Sequence, residues 1–197
     1  MTIAEDKQKL RRAMKARLAS LTPDFWVDAS KAVCDRLMGS SLWEGVGVLG
    51  YWALAGEVEL SGAMGEALKE GRKVFCPRVN WETGSMEAAR VMRWGIGEGG
   101  VEIGRFGVGE PRRDAESAAR GEIELVLVPG VAFDGTGMRL GRGRGFYDRY
   151  LSENRGETRV VGIAIEEQLV DDVPHEAWDV GMDAIVTQRR VIEVRKR

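Results

Sequence analysis

Residues 124 to 130 read Glu-Leu-Val-Leu-Val-Pro-Gly, a nearly continuous apolar run that ends in proline and glycine. Such a run is expected of a central strand that is covered on both faces. In open α/β sheets, ligands bind beyond the carboxyl ends of the strands, where backbone amides and helix N-termini converge. The loop that follows Val128 is therefore the first place to look for a functional site.

Helical patterns flank this run. Thr2 and Glu5 form a potential capping box for a basic amphipathic helix, and Thr22-Pro23-Asp24 begins a second helix that ends near Gly39. Further helices are predicted over residues 60–70 and 144–151.

Strand patterns alternate with these helices. Besides residues 124–128, strands are predicted over residues 46–52, 73–76, 86–92, 159–165 and 183–187. Pro77 is expected to end its strand, and Glu110-Pro111-Arg112 is expected to form a loop. The alternation predicts an α/β layered sheet. Because no linker or repeat divides the chain, we expect a single domain over residues 1–197.

Composition narrows the class of function. The 29 basic and 31 acidic residues nearly cancel, so no global field attracts nucleic acid or an anionic membrane. No stretch has the eighteen or more apolar residues of a membrane span, and the N-terminus lacks the apolar core of a signal peptide. Cys34 and Cys76 are too few and too far apart for a disulfide framework. We therefore expect a soluble cytoplasmic protein, with Cys76 as a buried strand residue.

The stretch most suited to binding a ligand is Gly141-Arg142-Gly143-Arg144-Gly145-Phe146-Tyr147-Asp148-Arg149. Glycines let the backbone amides approach phosphate oxygens, the following helix N-terminus adds partial positive charge, and the two arginines can bind the same oxygens. The alternative is a flexible surface turn with Arg144 and Asp148 as an ordinary i,i+4 pair worth about 0.3–0.5 kcal/mol. These residues alone leave the two interpretations equally open.

Other motifs are weak. Two GxGxxG matches, at residues 45–50 and 95–100, lack the strand-then-helix setting of a dinucleotide site, and no P-loop sequence occurs. His175 is the single histidine and is expected at the surface, so zinc lacks ligands. Carboxylates near the C-terminal strands could hold Mg²⁺ together with phosphate oxygens; these are Asp148, Asp171, Asp172 and Asp179.

Four segments in order carry a family resemblance. Residues 128–134 (VPGVAFD) and 139–151 (RLGRGRGFYDRYL) closely resemble the signature of the 5-formyltetrahydrofolate cyclo-ligase family. Residues 7–11 resemble the family's N-terminal K-x-x-L-R, and residues 161–187 resemble its G-x-x-x-E-x-Q-L…P…D…D-x-x-x-T pattern. Residues 51–59 and 109–111 add shorter matches, whereas most of residues 81–121 match poorly.

The resemblance implies a fold and a reaction. The fold is a three-layer α/β sandwich with a central, mostly parallel sheet flanked by helices. The reaction is the ATP-dependent cyclisation of 5-formyltetrahydrofolate to 5,10-methenyltetrahydrofolate, which releases ADP and phosphate. Its implied partners are thus ATP, a reduced folate and Mg²⁺, with no nucleic acid and no membrane.

The resemblance also implies site residues. ATP contacts fall on Lys7, Gln8, Lys9, Leu10, Arg11, Arg139, Leu140, Gly141, Arg142, Gly143, Arg144, Gly145, Phe146 and Tyr147. Folate contacts fall on Trp52, Glu57, Arg142, Gly143, Arg144, Gly145 and Phe146. Mg²⁺ falls near Asp148 and Asp179. Lys7 and Arg144 are the expected catalytic residues, with Arg144 holding the transferred phosphate.

Two residues differ from those of many relatives, and two alternative functions stay open. Phe146 stands where many relatives have tyrosine, and Trp178 stands where many bacterial relatives have histidine, which changes hydrogen bonding. Glu57 has a plainer interpretation as a solvated residue after a strand. The rival functions are a non-catalytic folate- or RNA-binding module and a different ATP-dependent or sugar-phosphate enzyme on a similar scaffold.

Overall fold

A computed structural model describes residues 2–194, so Met1 and the C-terminal Arg195-Lys196-Arg197 lie outside it. The α-helices within this range are α1 (Ile3–Ala19), α2 (Pro23–Met38), α3 (Ser61–Lys69) and α4 (Phe146–Asn154). The strands within it are β1 (Gly47–Leu49), β2 (Lys73–Asn80), β3 (Ser85–Val91), β4 (Val101–Ile103), β5 (Gly109–Pro111), β6 (Leu125–Pro129), β7 (Ala132–Asp134), β8 (Arg139–Leu140), β9 (Arg159–Ile163), β10 (Leu169–Val170), β11 (Ala184–Val186) and β12 (Val191–Glu193).

Seven strands form the central sheet in the order β12-β11-β9-β6-β1-β2-β3. The five inner strands run parallel, and the two edge strands pair antiparallel to their neighbours. Shorter ladders join β10, β7 and β8, and also β4 and β5. The mostly parallel sheet predicted from the sequence is confirmed.

Both faces of this sheet are covered. Successive strand residues point to opposite faces, and Leu125 accordingly packs with α2 and α3 while Val126 packs on the α4 side. Val33 and Met64 contribute to the first cluster, and Leu151 to the second. The three-layer sandwich is thus confirmed, and the near-continuous apolar character of residues 124–128 follows from burial on both sides.

The chain changes direction across the sheet at β1 and β6. From β1 it crosses through α3 to β2 on one side, whereas β6, which follows later, pairs with β1 on the other side. The carboxyl ends of these two neighbouring strands form the topological switch point, where ligands bind in folds of this kind. Residues 50–52 and the loop after β6 lie there.

Helix α1 packs beside this edge. The predicted capping box at Thr2 is present, with the Thr2 N–H donating to Glu5 Oε2 at 2.7 Å and the Glu5 N–H donating to Thr2 Oγ1 at 3.3 Å. Met14 is buried against Ala132 and Leu140. This packing fixes the polar side of α1 next to the segment that follows β8.

Some element boundaries differ from the sequence predictions. Strand β2 continues through Pro77 to Asn80, because β1 ends opposite Phe75 and the side on which Pro77 lacks an N–H has no partner strand there. The expected loop at Glu110 is instead the strand β5. Cys76 is buried in β2, as predicted. No helix within residues 2–194 is long and apolar enough to cross a membrane.

Candidate functional site

A cleft of about 830 Å³ opens at the carboxyl ends of β1 and β6. Trp52 and Gly130 line it from the strand ends, Lys7 and Arg11 line it from α1, and residues 141–145 line it from the segment before α4. Its volume falls in the range of small-molecule and cofactor sites. The functional loop predicted after Val128 is therefore part of a real cavity.

The glycine loop, defined here as residues 141–145, has a conformation that requires glycine. Gly143 and Gly145 have φ values of 105° and 66°, in the left-handed region. A Cβ at Gly141 would lie 2.5 Å from the Arg139 guanidinium. Gly145 caps α4 without a side-chain hydrogen bond. Among residues 2–194, no acceptor takes the backbone N–H groups of residues 142–148, which leaves them free for an anion.

Two arginines add positive charge at this loop. Arg11 Nε donates to the Gly141 carbonyl at 2.9 Å, and although burial lowers the pKa of Arg11, a guanidinium remains charged in a protein. Arg144 is exposed, and its guanidinium forms no hydrogen bond or ion pair within the described part of the chain. The i,i+4 pair of Arg144 with Asp148, which belonged to the alternative interpretation of this segment, is absent there, and Arg144 is available to an anionic ligand.

Asp148 pairs with Arg139 instead. Arg139 Nη2 donates to both Asp148 carboxylate oxygens, at 3.1 and 3.0 Å, and the Val180 N–H donates to Oδ1 at 3.3 Å. The Arg139 side chain is 5% exposed and that of Asp148 is 18% exposed. This pair anchors the start of α4 to β8 and so fixes the ends of the glycine loop.

Lys7 is held by two carboxylates. Its Nζ donates to Asp179 Oδ2 at 2.5 Å and to Glu176 Oε2 at 3.0 Å. Burial lowers the pKa of Lys7, but the hydrogen bonds to Asp179 and Glu176 outweigh it and raise the pKa above its usual value. Lys7 therefore stays protonated at neutral pH, with its position fixed by residues 176 and 179.

Glu57 lies at the other side of the glycine loop. Its Oε1 accepts a hydrogen bond from Arg142 Nε at 2.7 Å, and its Oε2 accepts the Leu54 N–H at 2.9 Å. The Glu57 side chain is only 8% exposed, so its interpretation as a solvated residue is wrong. Arg142 also donates to the Ala55 carbonyl at 2.7 Å, which ties the glycine loop to residues 54–57.

Aromatic rings line the cleft near Glu57. Trp52 packs over Gly109, where a Cβ would lie 2.5 Å from the indole, and its ring centroid is 6.0 Å from that of Trp94. Phe146, the first residue of α4, meets Trp81 edge to face at 5.5 Å. Flat apolar walls beside a carboxylate suit a planar heterocycle that carries hydrogen-bond donors.

Residues 3–188 match the 5-formyltetrahydrofolate cyclo-ligase family. The chain belongs to this family. It is 27% identical to the probable 5-formyltetrahydrofolate cyclo-ligase of Caenorhabditis elegans, with 96% of each chain covered. It is 30% identical to the probable 5-formyltetrahydrofolate cyclo-ligase of Schizosaccharomyces pombe, with 94% of this chain and 97% of the relative covered. The structure of 5,10-methenyltetrahydrofolate synthetase from Aquifex aeolicus aligns with a TM-score of 0.80 at 30% identity, covering 97% of this chain and 94% of that one.

Membership in the cyclo-ligase family confirms the resemblance. The site residues that the resemblance implied can now be compared with the residues that line the cleft. Of the residues assigned to ATP, folate or Mg²⁺, the cleft brings together Lys7, Arg11, Trp52, Glu57, Arg139, Leu140, Gly141, Arg142, Gly143, Arg144, Gly145, Phe146, Tyr147, Asp148 and Asp179. It does not include Gln8, Lys9 or Leu10. Gln8 and Lys9 are exposed on α1, and Leu10 packs with Met14. The individual roles stay predictions.

Several residues that line the cleft were not assigned a role from the sequence. Among them are Trp81, Arg149, Glu176 and Trp178. Arg149 lies inside the signature but was not assigned a role, whereas Trp81 falls in the poorly matched middle region. Trp178 entered only as a departure from the family pattern. Glu176 could have been suggested by its position three residues before the predicted site residue Asp179.

The two predicted metal ligands, Asp148 and Asp179, are both paired with cations. Asp148 uses both oxygens with Arg139, and Asp179 uses Oδ2 with Lys7. Asp179 Oδ1 has no hydrogen-bond partner within residues 2–194. No cluster of three or more His, Cys, Asp or Glu side chains suited to a metal occurs within that range. This donor set fits a Mg²⁺ that is bound mainly by phosphate oxygens and touches few carboxylates.

Proposed function

We propose that this chain converts 5-formyltetrahydrofolate to 5,10-methenyltetrahydrofolate with ATP, releasing ADP and phosphate. The observation that carries the proposal is the glycine loop. Its free amides, the N-terminus of α4 and the unpaired Arg144 lie in one cleft with an aromatic wall and Glu57. One end thus supports binding of a polyphosphate and the other supports binding of a flat heterocycle.

The proposed reaction has two steps. The N5-formyl oxygen attacks the γ-phosphorus of ATP and ADP leaves; N10 then attacks the activated formyl carbon, N10 loses its proton, and phosphate leaves. Phosphoryl transfer of this kind requires positioning and charge neutralisation, without a protein nucleophile. Burial raises the pKa of the Cys76 thiol to about 12 and also raises that of Cys34, which agrees with assigning neither a covalent role.

The proposed roles follow the two ends of the cleft. Arg144 binds the transferred phosphate, while Lys7 and Arg11 position the nucleotide from α1. The residues from Arg139 to Tyr147 surround the triphosphate. At the other end, Glu57 accepts hydrogen bonds from the amino-pyrimidine part of the folate, and Trp52 and Phe146 border its ring. Arg142 donates to Glu57 Oε1, so the proposed folate would share this carboxylate with Arg142.

Mg²⁺ belongs to the proposal as a companion of ATP. Asp148 and Asp179 are the residues that would hold it beside the phosphates, and the ion would supply neutralisation of negative charge on the phosphate oxygens. Arg139 and Lys7 already compensate these carboxylates in the free protein. We therefore assign the protein's own share of charge neutralisation to Arg144, Arg11 and the loop amides.

Cellular context completes the proposal. We place the enzyme in the cytoplasm, because Cys34 and Cys76 are free and buried, and free thiols suit a reducing compartment. The net charge of −2 gives no reason to add a nucleic-acid partner. The partners are thus ATP and a reduced folate.

The test is a direct assay of product. Purified protein is mixed with 5-formyltetrahydrofolate, Mg²⁺ and ATP, and the near-ultraviolet absorbance of the methenyl product is followed, with omission of ATP as a control. We expect product only when ATP is present. A folded protein that binds ATP and folate but forms no product contradicts the proposal and favours a non-catalytic binding module.

A further inference from the structure

Trp178 is an exposed aromatic residue inside the cleft. Its side chain is 68% exposed although it lines the cavity. Large aromatic side chains bury most of their surface in folded proteins, because their transfer from water is strongly favourable. An indole left in water at the edge of a ligand cavity therefore indicates a surface that a bound molecule covers.

The position of Trp178 is fixed by its neighbours. Glu176 and Asp179, on either side of it, both bind Lys7 of α1, and the Glu176 N–H donates to Asp179 Oδ2 at 2.7 Å. Val180, the residue after Asp179, donates its N–H to Asp148. Trp178 is thus held against the α1 side of the cleft, next to the predicted phosphate-binding residues. Ala4 and Ala177, which have small side chains, also line the cleft.

We propose that Trp178 stacks on the adenine ring of the bound nucleotide and so sets the preference of this site for a purine triphosphate over bare polyphosphate. The proposal rests on the proposed function, since it assumes ATP in this cleft. Every nucleobase has a flat π face on which indole can stack. Trp178 would then bind the base while the glycine loop binds the phosphates.

Electrostatics favour adenine over the folate at this position. Trp178 lies between two carboxylates, Glu176 and Asp179, which share a single cation, Lys7; the one negative charge that remains disfavours the carboxylate-bearing tail of a folate. Adenine is neutral, and its exocyclic amine is a hydrogen-bond donor that a carboxylate can accept. The folate is instead served by Glu57 and Trp52, and Arg142 of the glycine loop contacts Glu57 directly.

The test compares a triphosphate that carries a base, a triphosphate without a base, and the folate. Binding of ATP, inorganic tripolyphosphate and 5-formyltetrahydrofolate is measured by calorimetry for the wild type, Trp178→Ala and Trp178→Phe. Met92→Ala is the matched control, because Met92 is also 68% exposed but does not line the cleft. Melting temperatures show that each variant is folded, which is expected since both side chains are exposed.

We expect Trp178→Ala to weaken ATP binding by about tenfold, the size of one base-stacking contact, and to leave tripolyphosphate and folate binding unchanged. Trp178→Phe should retain most of the affinity. Equal losses for ATP and tripolyphosphate, a loss confined to the folate, or no loss at all would each overturn the proposal. If the variants show these binding differences but the wild type forms no product, the proposed function alone is refuted. Product formation with unchanged ATP affinity in Trp178→Ala would refute the stacking alone.

Discussion

At the scale of single residues, Arg144 differs from the other charged residues around the glycine loop because its guanidinium has no hydrogen-bond or ion-pair partner within residues 2–194. We expect Arg144→Ala to lower kcat/KM by about 10²–10³-fold, the usual loss when one preorganised donor to a transition-state charge is removed. Because Arg144 is exposed, stability should hardly change. Initial rates and melting curves measure the two effects. Arg17→Ala is the matched control, since Arg17 is exposed on α1 outside the cleft. A loss below about threefold would remove Arg144 from the mechanism.

Replacement of Asp148 should change stability, unlike replacement of Arg144, because Asp148 is paired with a nearly buried arginine. Asp148→Ala leaves the Arg139 guanidinium without its partner, and we expect the free energy of unfolding to fall by about 3 kcal/mol. Urea denaturation with and without Mg²⁺ measures the change. Asp172→Ala, which removes an exposed carboxylate, should have little effect. If the loss of stability occurs only when Mg²⁺ is present, Asp148 acts as a metal ligand and the interpretation as a structural pair fails.

These residues also show what a sequence can and cannot predict about the site. The glycine loop and Arg144 could be predicted, because backbone freedom, a helix N-terminus and arginine side chains are local properties. The pair of Arg142 and Glu57 could not, since the two residues lie 85 positions apart. The contacts of Lys7 with Glu176 and Asp179, 169 and 172 positions away, could not be predicted for the same reason. The pair of Asp148 with Arg139 spans only nine positions, but Arg139 lies outside α4, whereas helical spacing indicated Arg144 as the partner of Asp148.

At the scale of elements, the hairpin of β2 and β3 is held over the cleft by α4. Arg149 Nε donates to the Gly84 carbonyl at 3.0 Å, and its Nη2 donates to the Arg144 carbonyl at 2.8 Å. The hairpin carries Trp81, which contacts Phe146. Arg149 thus connects the hairpin, the glycine loop and α4, and acts as a positioning residue.

Loss of this connection should affect the folate more than ATP. In Arg149→Ala, we expect KM for the folate to rise about tenfold, with a smaller change in KM for ATP, because a hydrogen bond to a charged group is lost at the hairpin. Hydrogen exchange of residues 80–85 should accelerate as the hairpin loosens. Arg112→Ala serves as control, since its ion pairs lie at the surface with Asp114 and Glu102. Unchanged exchange in residues 80–85 would contradict the positioning role.

The element boundaries that the sequence failed to predict have identifiable causes. Pro77 ends a strand only where its missing N–H faces a partner, and whether a partner is present depends on the length of β1, which lies elsewhere in the chain. The short strands β4 and β5 pair with each other in a glycine-rich region, and their three-residue lengths are too short to show the alternating apolar pattern that identifies a strand. The long apolar run of β6 had no such ambiguity.

At the scale of the whole molecule, the order of the strands places the site. Because β1 and β6 are neighbours although α3, β2, β3, β4 and β5 separate them in sequence, their carboxyl ends open one cleft at the centre of the sheet. Alternating strands and helices sufficed to predict the layered class. The strand order itself could not be predicted from the residues alone, and the single domain over residues 1–197 stays a prediction.

Helix α1 closes this cleft through Lys7 and Arg11, so ligand binding should be coupled to the stability of the whole fold. A ligand that binds only the folded state stabilises it by about 2.7 kcal/mol at a concentration of 100 times Kd. We therefore expect the melting temperature to rise steadily with ATP concentration. Arg11→Ala should lower the melting temperature of the free protein, because it removes the hydrogen bond to Gly141.

The dependence on ATP separates this structural loss from a loss of binding. If Arg11 contacts the nucleotide, Arg11→Ala shifts the onset of ATP stabilisation to higher concentration, whereas Arg12→Ala, a neighbouring exposed arginine, leaves the onset unchanged. Thermal melts over an ATP titration measure both quantities in one experiment. An onset in Arg11→Ala equal to that of the wild type, with only a lower starting temperature, would limit Arg11 to holding the glycine loop. In that case, of the two α1 residues, only Lys7 could position the nucleotide by direct contact.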